Sequence, residues 1–284
     1  MSTLTQERLA TGSGLAFVLG AYRSGTTLLR KVLDSHPAVV SPAETWFLLP
    51  LMDLWEGRGS HPTFRPAQAT AAMKNLVDAG GFARAAGAFA GSVYAQAVER
   101  LGNPGTRVLV DKTPLYTNIC GYLPTIFPDA TFLVLARDPR SIAWSRHTWR
   151  HATSAHAADH FGEVAKDIQT LAAFAKAHDA RSHVVRYEEL CEAPERTTLG
   201  LCGFLGVDHD ASMIDYGSKQ HHEGYGDENT RQHTAPHAAS LSRWAEPGGM
   251  TPEDQRRLLD LCGRPALEQL GYPGLGAARL ARSA

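Results

Sequence analysis

Residues 20–27 read GAYRSGTT, between the apolar run LAFVLG and the periodic run LLRKVLDSHP. Strand, glycine loop and helix in that order confine the chain to an α/β fold whose loop faces a helix N-terminus. Such a terminus carries N–H groups without intrahelical acceptors and the positive end of the macrodipole, so it favours an anion such as a phosphate. The spacing Gly20-x-x-x-x-Gly25 fits a Walker A frame, but Thr26 stands where that frame requires Lys. The cation is instead Arg23, inside the loop. A nucleoside-triphosphate enzyme would lack its phosphate lysine here, so a different phosphate-bearing donor is expected.

Continuous apolar runs lie at residues 15–19, 38–40, 107–110, 131–136 and 183–187, with helical patterns between them. Uninterrupted rather than alternating runs suit parallel strands buried on both faces. A chain of 284 residues that is 43% hydrophobic can bury one large core, so a single domain is expected. Residues 66–101 are alanine-rich without a strand signal and read as two inserted helices, broken at Gly80-Gly81 and forming one wall of a pocket. Residues 220–239 are polar, rich in His, Gly and Asn, and 215–240 is expected to be an active-site loop. Thr251, Pro252, Glu253 and Asp254 predict the start of a last helix, running to about Leu270 and ended by Gly271.

The net charge is −1. No global field recruits nucleic acid or an anionic membrane. The N-terminal residues MSTLTQERLATGSG show no basic-then-apolar leader, and no apolar run approaches membrane-spanning length, so a cytoplasmic protein is expected. The four cysteines form no C-x-x-C pair and read as reduced thiols.

A second signature is LVLARDPRSIAWSRHTWR. Arg137 ends an apolar strand, and Asp138-Pro139 supplies a cap and an N1 proline for a helix. Ser145 falls eight residues after Arg137, two turns into that helix, so strand end and helix face can converge on one anion. Glu44, in SPAETW, would lie near the strand C-termini, where open α/β sheets hold ligands. Lys112, in VLVDKTPLY, again follows a strand. His147 and His151 lack the Glu of a zincin helix, and the loop histidines read as solvated, so no metal is assigned. Among those loop histidines, His233 is the candidate to assist an acceptor proton.

The segment YRSGTTLLRKVLDSHPAVVSPAET resembles the 5′-phosphosulfate loop of PAPS-dependent sulfotransferases, in the branch of tyrosylprotein sulfotransferases and bacterial small-molecule enzymes. Tyr22 replaces the usual Pro. The resemblance implies a P-loop-like three-layer α/β fold with a central, mainly parallel sheet, and PAPS as donor with PAP as product. It places Arg23, Ser24, Gly25, Thr26 and Thr27 on the 5′-phosphosulfate and Arg137 and Ser145 on the 3′-phosphate. Tyr187, in RYEEL, borders the nucleotide, and Arg243, in SLSRWAEP, reaches the 3′-phosphate. Glu44 becomes the general base, with Lys112 and Arg23 stabilising the transition state. The acceptor is expected to be a small-molecule hydroxyl, with a carrier-tethered or peptide acceptor also open, in a pocket for which Trp46, Phe47, Trp55, Phe82, Phe89, Trp149 and Tyr225 are available. The family's habits also allow a homodimer. Two alternatives stay open. One is a kinase of the P-loop class, with Asp111 or Asp138 on Mg²⁺. The other is a non-catalytic protein that binds an adenosine bisphosphate.

Overall fold

The computed structural model describes residues 4–60, 63, 65–149, 156–219, 221, 234–238 and 241–275. Strands β1 (Leu15–Gly20), β2 (Val39–Val40), β3 (Val108–Lys112), β4 (Thr131–Ala136) and β5 (Ser182–Arg186) form one sheet in the order β2-β3-β1-β4-β5. Every neighbouring pair is parallel, with Val18 opposite Lys112 and Gly20 opposite Leu135. β1 is central; its connection leaves toward β2 on one side, while that of its neighbour β3 leaves toward β4 on the other. The crevice beyond its C-terminal end is therefore a topological switch point. All expected strands are present, and β3 runs on past Val110 to include Asp111 and Lys112.

The helices are α1 (Gln6–Thr11), α2 (Thr26–Asp34), α3 (Leu48–Glu56), α4 (Pro66–Lys74), α5 (Ala79–Leu101), α6 (Leu123–Ile126), α7 (Pro139–His147), α8 (Phe161–Ala177), α9 (Tyr187–Glu192), α10 (Pro194–Leu205), α11 (Pro252–Cys262) and α12 (Arg264–Gln269). They cover both sheet faces, which makes the three-layer, P-loop-like α/β arrangement. The strand period of two sorts the side chains between two cores. Leu15, Phe17, Leu19, Leu109, Phe132 and Val134 enter one with α5 and α8, while Ala16, Val18, Val110, Leu133 and Leu135 enter the other with α2 and α10. Among the described residues, no helix is long and apolar enough to cross a membrane.

Two helix boundaries differ from expectation. The break in 66–101 falls at residues 75–78, not at Gly80-Gly81. Asp78 caps α5, its carboxylate accepting from the Gly81 N–H at 2.6 Å, so both glycines sit in the first turn, where capping outweighs their poor propensity. The alanine and glycine content serves packing. A methyl on Gly87 would stand 2.6 Å from the Ala10 carbonyl, and one on Gly91 2.7 Å from the Ala10 N–H, so α1 lies directly on α5. The last helix is interrupted. α11 begins as expected at Thr251, whose hydroxyl accepts from Asp254 N–H, but Gly263 at φ +80° ends it, and Pro265 opens the separate α12.

Candidate active site

β1 delivers the chain into a tight loop. Arg23 takes φ +72° and Gly25 φ +102° before α2 begins at Thr26. A Cβ on Gly25 would fall 2.3 Å from the Tyr187 ring, and one on Gly20 2.8 Å from the Thr26 methyl and 2.9 Å from Ser24 Oγ. Both glycines are therefore fixed by close approach. Ser24 is wholly buried, and its hydroxyl has no hydrogen-bond partner among the described residues. Thr26 and Thr27 are buried in the first turn of α2. A buried hydroxyl with nothing to bond, beside a helix N-terminus, fits a phosphate group.

The loop is tied from outside. Arg137 Nη1 donates to the Arg23 carbonyl at 3.1 Å, and its guanidinium lies 4.2 Å from the Tyr187 ring centroid. Arg23 Nε donates to Ser145 Oγ at 3.3 Å. The guanidinium of Arg23 also lies 5.4 Å from the Trp149 ring centroid. Arg23, Arg137, Ser145 and Tyr187 thus meet, although they come from a loop, a strand end and two helices. Arg146, which the sequence reading passed over, donates to the Tyr22 carbonyl at 3.1 Å while ion-paired to Asp167 at 2.7 Å. Its signal was a basic residue on the buried side of the signature helix.

Asp138 caps α7, accepting from the Arg140 N–H at 2.9 Å, and forms an ion pair with the Arg140 side chain at 2.6 Å. Arg140 in turn lies 3.8 Å from the Trp244 ring centroid, so Trp244 is a packing residue. Arg243 is exposed on this segment, which docks through the Leu241 carbonyl, 2.7 Å from Ser141 Oγ.

At the next strand, Lys112 Nζ donates to Glu44 Oε1 at 2.6 Å, and the lysine side chain is fully buried while that of Glu44 is 10% exposed. Burial pulls the Lys112 ammonium below its usual range, opposed by the Glu44 charge. Arg30 is buried on α2 and donates to the Ser41 carbonyl at 3.0 Å. Burial lowers its pKa, and Asp34 and Glu44 counter this. A cation in the apolar run LLRKVL was the overlooked signal for it.

Asp111, on the opposite sheet face from Lys112, is fully buried and accepts from Tyr94 OH at 2.5 Å and from Thr45 Oγ1 at 2.7 Å. Burial pushes its carboxyl up to about 6, while the hydroxyl bonds and Lys112 pull it down. This network was not foreseen, because its members lie far apart in sequence.

Of the expected pocket aromatics, Trp55 and Phe82 stack at 4.4 Å and Phe47 meets Phe89 and Tyr94 at 5.9 and 5.3 Å, while Trp149 meets Tyr22 at 5.6 Å. Trp46 and Phe89 keep 39% and 50% exposure. His233 and Tyr225 lie outside the described residues. From the 215–240 segment, His221 is described instead. Its Nδ1 lies 2.8 Å from Asp34 Oδ2, which Lys219 also approaches at 3.7 Å.

The sequence profile of the sulfotransferase family matches residues 16–211. Nodulation protein NoeE of Sinorhizobium fredii (strain NBRC 101917 / NGR234) is 30% identical, over 91% of this chain and 66% of that protein. Protein-tyrosine sulfotransferase 2 of Gallus gallus is 26% identical, over 74% of this chain and 54% of that protein. The chain thus aligns with about half to two thirds of the length of these relatives. The sulfotransferase domain of the Synechococcus PCC 7002 olefin synthase superposes with a TM-score of 0.64 at 25% identity, covering 91% of this chain and 95% of that one. Mouse sulfotransferase SULT7A1 complexed with PAP superposes with a TM-score of 0.52 at 14% identity, covering 95% and 90%, a likeness of fold.

Proposed function

The chain belongs to the sulfotransferase family, and from that premise we propose that it moves a sulfuryl group from PAPS to a hydroxyl of a small-molecule acceptor. The observation that carries this reading is the buried Lys112–Glu44 pair, 2.6 Å apart at the C-terminal end of β3, beside the loop that Arg23 ties to Ser145. Donor binding alone would need no such pair. The kinase alternative needs a strand-end carboxylate for Mg²⁺. Asp111 is occupied by two hydroxyls and Asp138 by its cap and Arg140, which speaks against it. The olefin synthase neighbour is a domain of a biosynthetic enzyme, which supports a metabolite acceptor. The tyrosine sulfotransferases keep a peptide hydroxyl as the variant to test.

When bound, PAPS supplies a sulfuryl group whose S–O bond to phosphate breaks as the S–O bond to the acceptor forms, leaving PAP. The chain's part is positioning and electrostatics. Glu44 takes the acceptor's hydroxyl proton at a carboxylate oxygen, a role worth about 10²–10⁴-fold. Lys112 Nζ and Arg23 hold charge that builds on the transferring and bridging oxygens, worth about 10²–10³-fold per well-placed donor. Ser24, Gly25, Thr26 and Thr27 cradle the 5′ end through N–H and hydroxyl donors. Arg137, Ser145 and Arg243 serve the 3′-phosphate, and Tyr187 borders the nucleotide while backing Gly25.

The test is thermal melting with PAP against ADP at matched concentration. Ligand at about 100 times its Kd adds about 2.7 kcal/mol, a shift of several degrees. The shift should appear with PAP and vanish in Arg137→Ala. An equal shift with ADP would overturn the donor assignment.

A further inference from the structure

The segment carrying Glu44 is not a free loop. Trp46 sits at φ +59°, a region a bulky residue enters only under strain. Thr113 Oγ1 holds that turn by accepting from Thr45 N–H at 3.1 Å and Trp46 N–H at 3.3 Å. A second tie runs through hydroxyls. Leu48 N–H donates to Tyr116 OH at 3.3 Å, and Tyr116 OH lies 2.7 Å from Thr45 Oγ1, which lies 2.7 Å from Asp111 Oδ2.

Each hydroxyl has one proton. Because Thr45 donates its one proton to Asp111, Tyr116 OH is the donor to Thr45 and accepts from Leu48 N–H, so every proton in the chain points toward Asp111. Tyr94 OH, 2.5 Å from the same oxygen, converges on it from α5. Chains of this kind polarise one another in a buried site. The acceptor at their end is the strand neighbour of Lys112, on the other sheet face.

We propose that Asp111 is a positioning residue for sulfuryl transfer: through Thr45 it anchors the turn that aims Glu44 at Lys112. β3 then supplies both the cation of the pair and the anchor that registers its carboxylate. This rests on Glu44 being the base, as proposed above.

Thr45 is the clean probe, since Thr45→Val keeps shape and loses the hydroxyl, while Thr45→Ser keeps the hydroxyl. In Thr45→Val, kcat should fall by about 10²-fold, the scale of a 1 Å misplacement. KM for PAPS and the PAP-induced melting shift should stay at wild-type values. Thr45→Ser should recover kcat to within a few-fold. Equal damage in both variants, or a Thr45→Val kcat within twofold of wild type, overturns the inference.

A second measurement does not depend on turnover. The Tm losses of Thr45→Val and Glu44→Gln should be less than additive in the double variant, because Thr45 orders Glu44. Strict additivity overturns the coupling. If the wild type binds PAP yet transfers nothing, the functional reading fails while sub-additivity still upholds the anchor.

Discussion

The loop after β1 and the Glu44–Lys112 pair lie at the same end of the sheet but are built in opposite ways. The loop is one contiguous stretch, shaped by backbone: positive φ at Arg23 and Gly25, and guanidinium bonds to the carbonyls of Tyr22 and Arg23. The pair joins residues 68 apart, and side-chain hydroxyls from β3 and the segment after it hold the turn that carries Glu44. In the first design Arg137 and Arg146 brace the backbone from outside, at the carbonyls of Arg23 and Tyr22. In the second, Lys112 meets Glu44 and Asp111 meets Thr45 and Tyr94 through side-chain hydrogen bonds.

Deleting the pair should separate the halves most sharply. Glu44→Gln is expected to lower kcat by about 10²–10⁴-fold, and Lys112→Met by about 10²–10³-fold. Glu44→Gln should keep the full PAP melting shift and Lys112→Met most of it, since the phosphate-binding loop and the 3′-phosphate residues are intact in both. Lys112→Met also removes a buried charge from its partner, a change that costs about 3–5 kcal/mol in an isolated pair. The buried Arg30 gives Glu44 a second counter-charge, so the Tm loss should fall below that figure. Loss of PAP binding in Glu44→Gln, or its complete loss in Lys112→Met, would break the division into two halves.

Gly25→Ala probes the backbone-built half. The new methyl meets the Tyr187 ring at 2.3 Å in a φ +102° conformation. Left-handed strain of about 1–2 kcal/mol and overpacking of about 1–3 kcal/mol should lower Tm and abolish the PAP shift. Adding Tyr187→Ala should restore part of the stability and show which share was steric. A Gly25→Ala protein that still melts and binds PAP like wild type would mean the loop relaxes, and is not set by its backbone.

The same contrast explains what could be read in advance. Continuous apolar runs and glycine spacing are local, so all five strands, the loop and the Asp138-Pro139 helix start were visible. The end of α11 at Gly263 was missed: Pro265 is unfavourable in a helix interior, but the apolar period running through it hid the break. Strand order and the convergence of Asp111, Thr45 and Tyr94 were not legible. They depend on which helix covers which sheet face, and no single segment records that. Lys112 read as following its strand. The parallel pairing with Val18 keeps it within β3, fully buried.

The smallest expected effect concerns two buried carboxylates with opposite surroundings. Asp34 is desolvated, but bonds from His221 and Ser41 and the charges of Lys219 and Arg30 outweigh this and hold it below its usual range. Its stabilisation is present above its unfolded value and lost only in stronger acid. Asp111 has neutral hydroxyls as its nearest donors, so burial wins and its carboxyl rises to about 6. The folded protein then binds a proton at Asp111 that the unfolded chain has already lost between about pH 6 and 4. In that window the Asp111 contribution grows as pH falls, by at most about 3 kcal/mol. The Tm of wild type relative to Asp111→Asn should therefore climb as pH drops from 7 to 4. A protonated Asp111 can also donate to the hydroxyls, reversing the chain that orders Thr45, so kcat should fall over the same range. A flat Tm difference would mean that Lys112 and the hydroxyls keep Asp111 ionised throughout, making the two carboxylates alike after all.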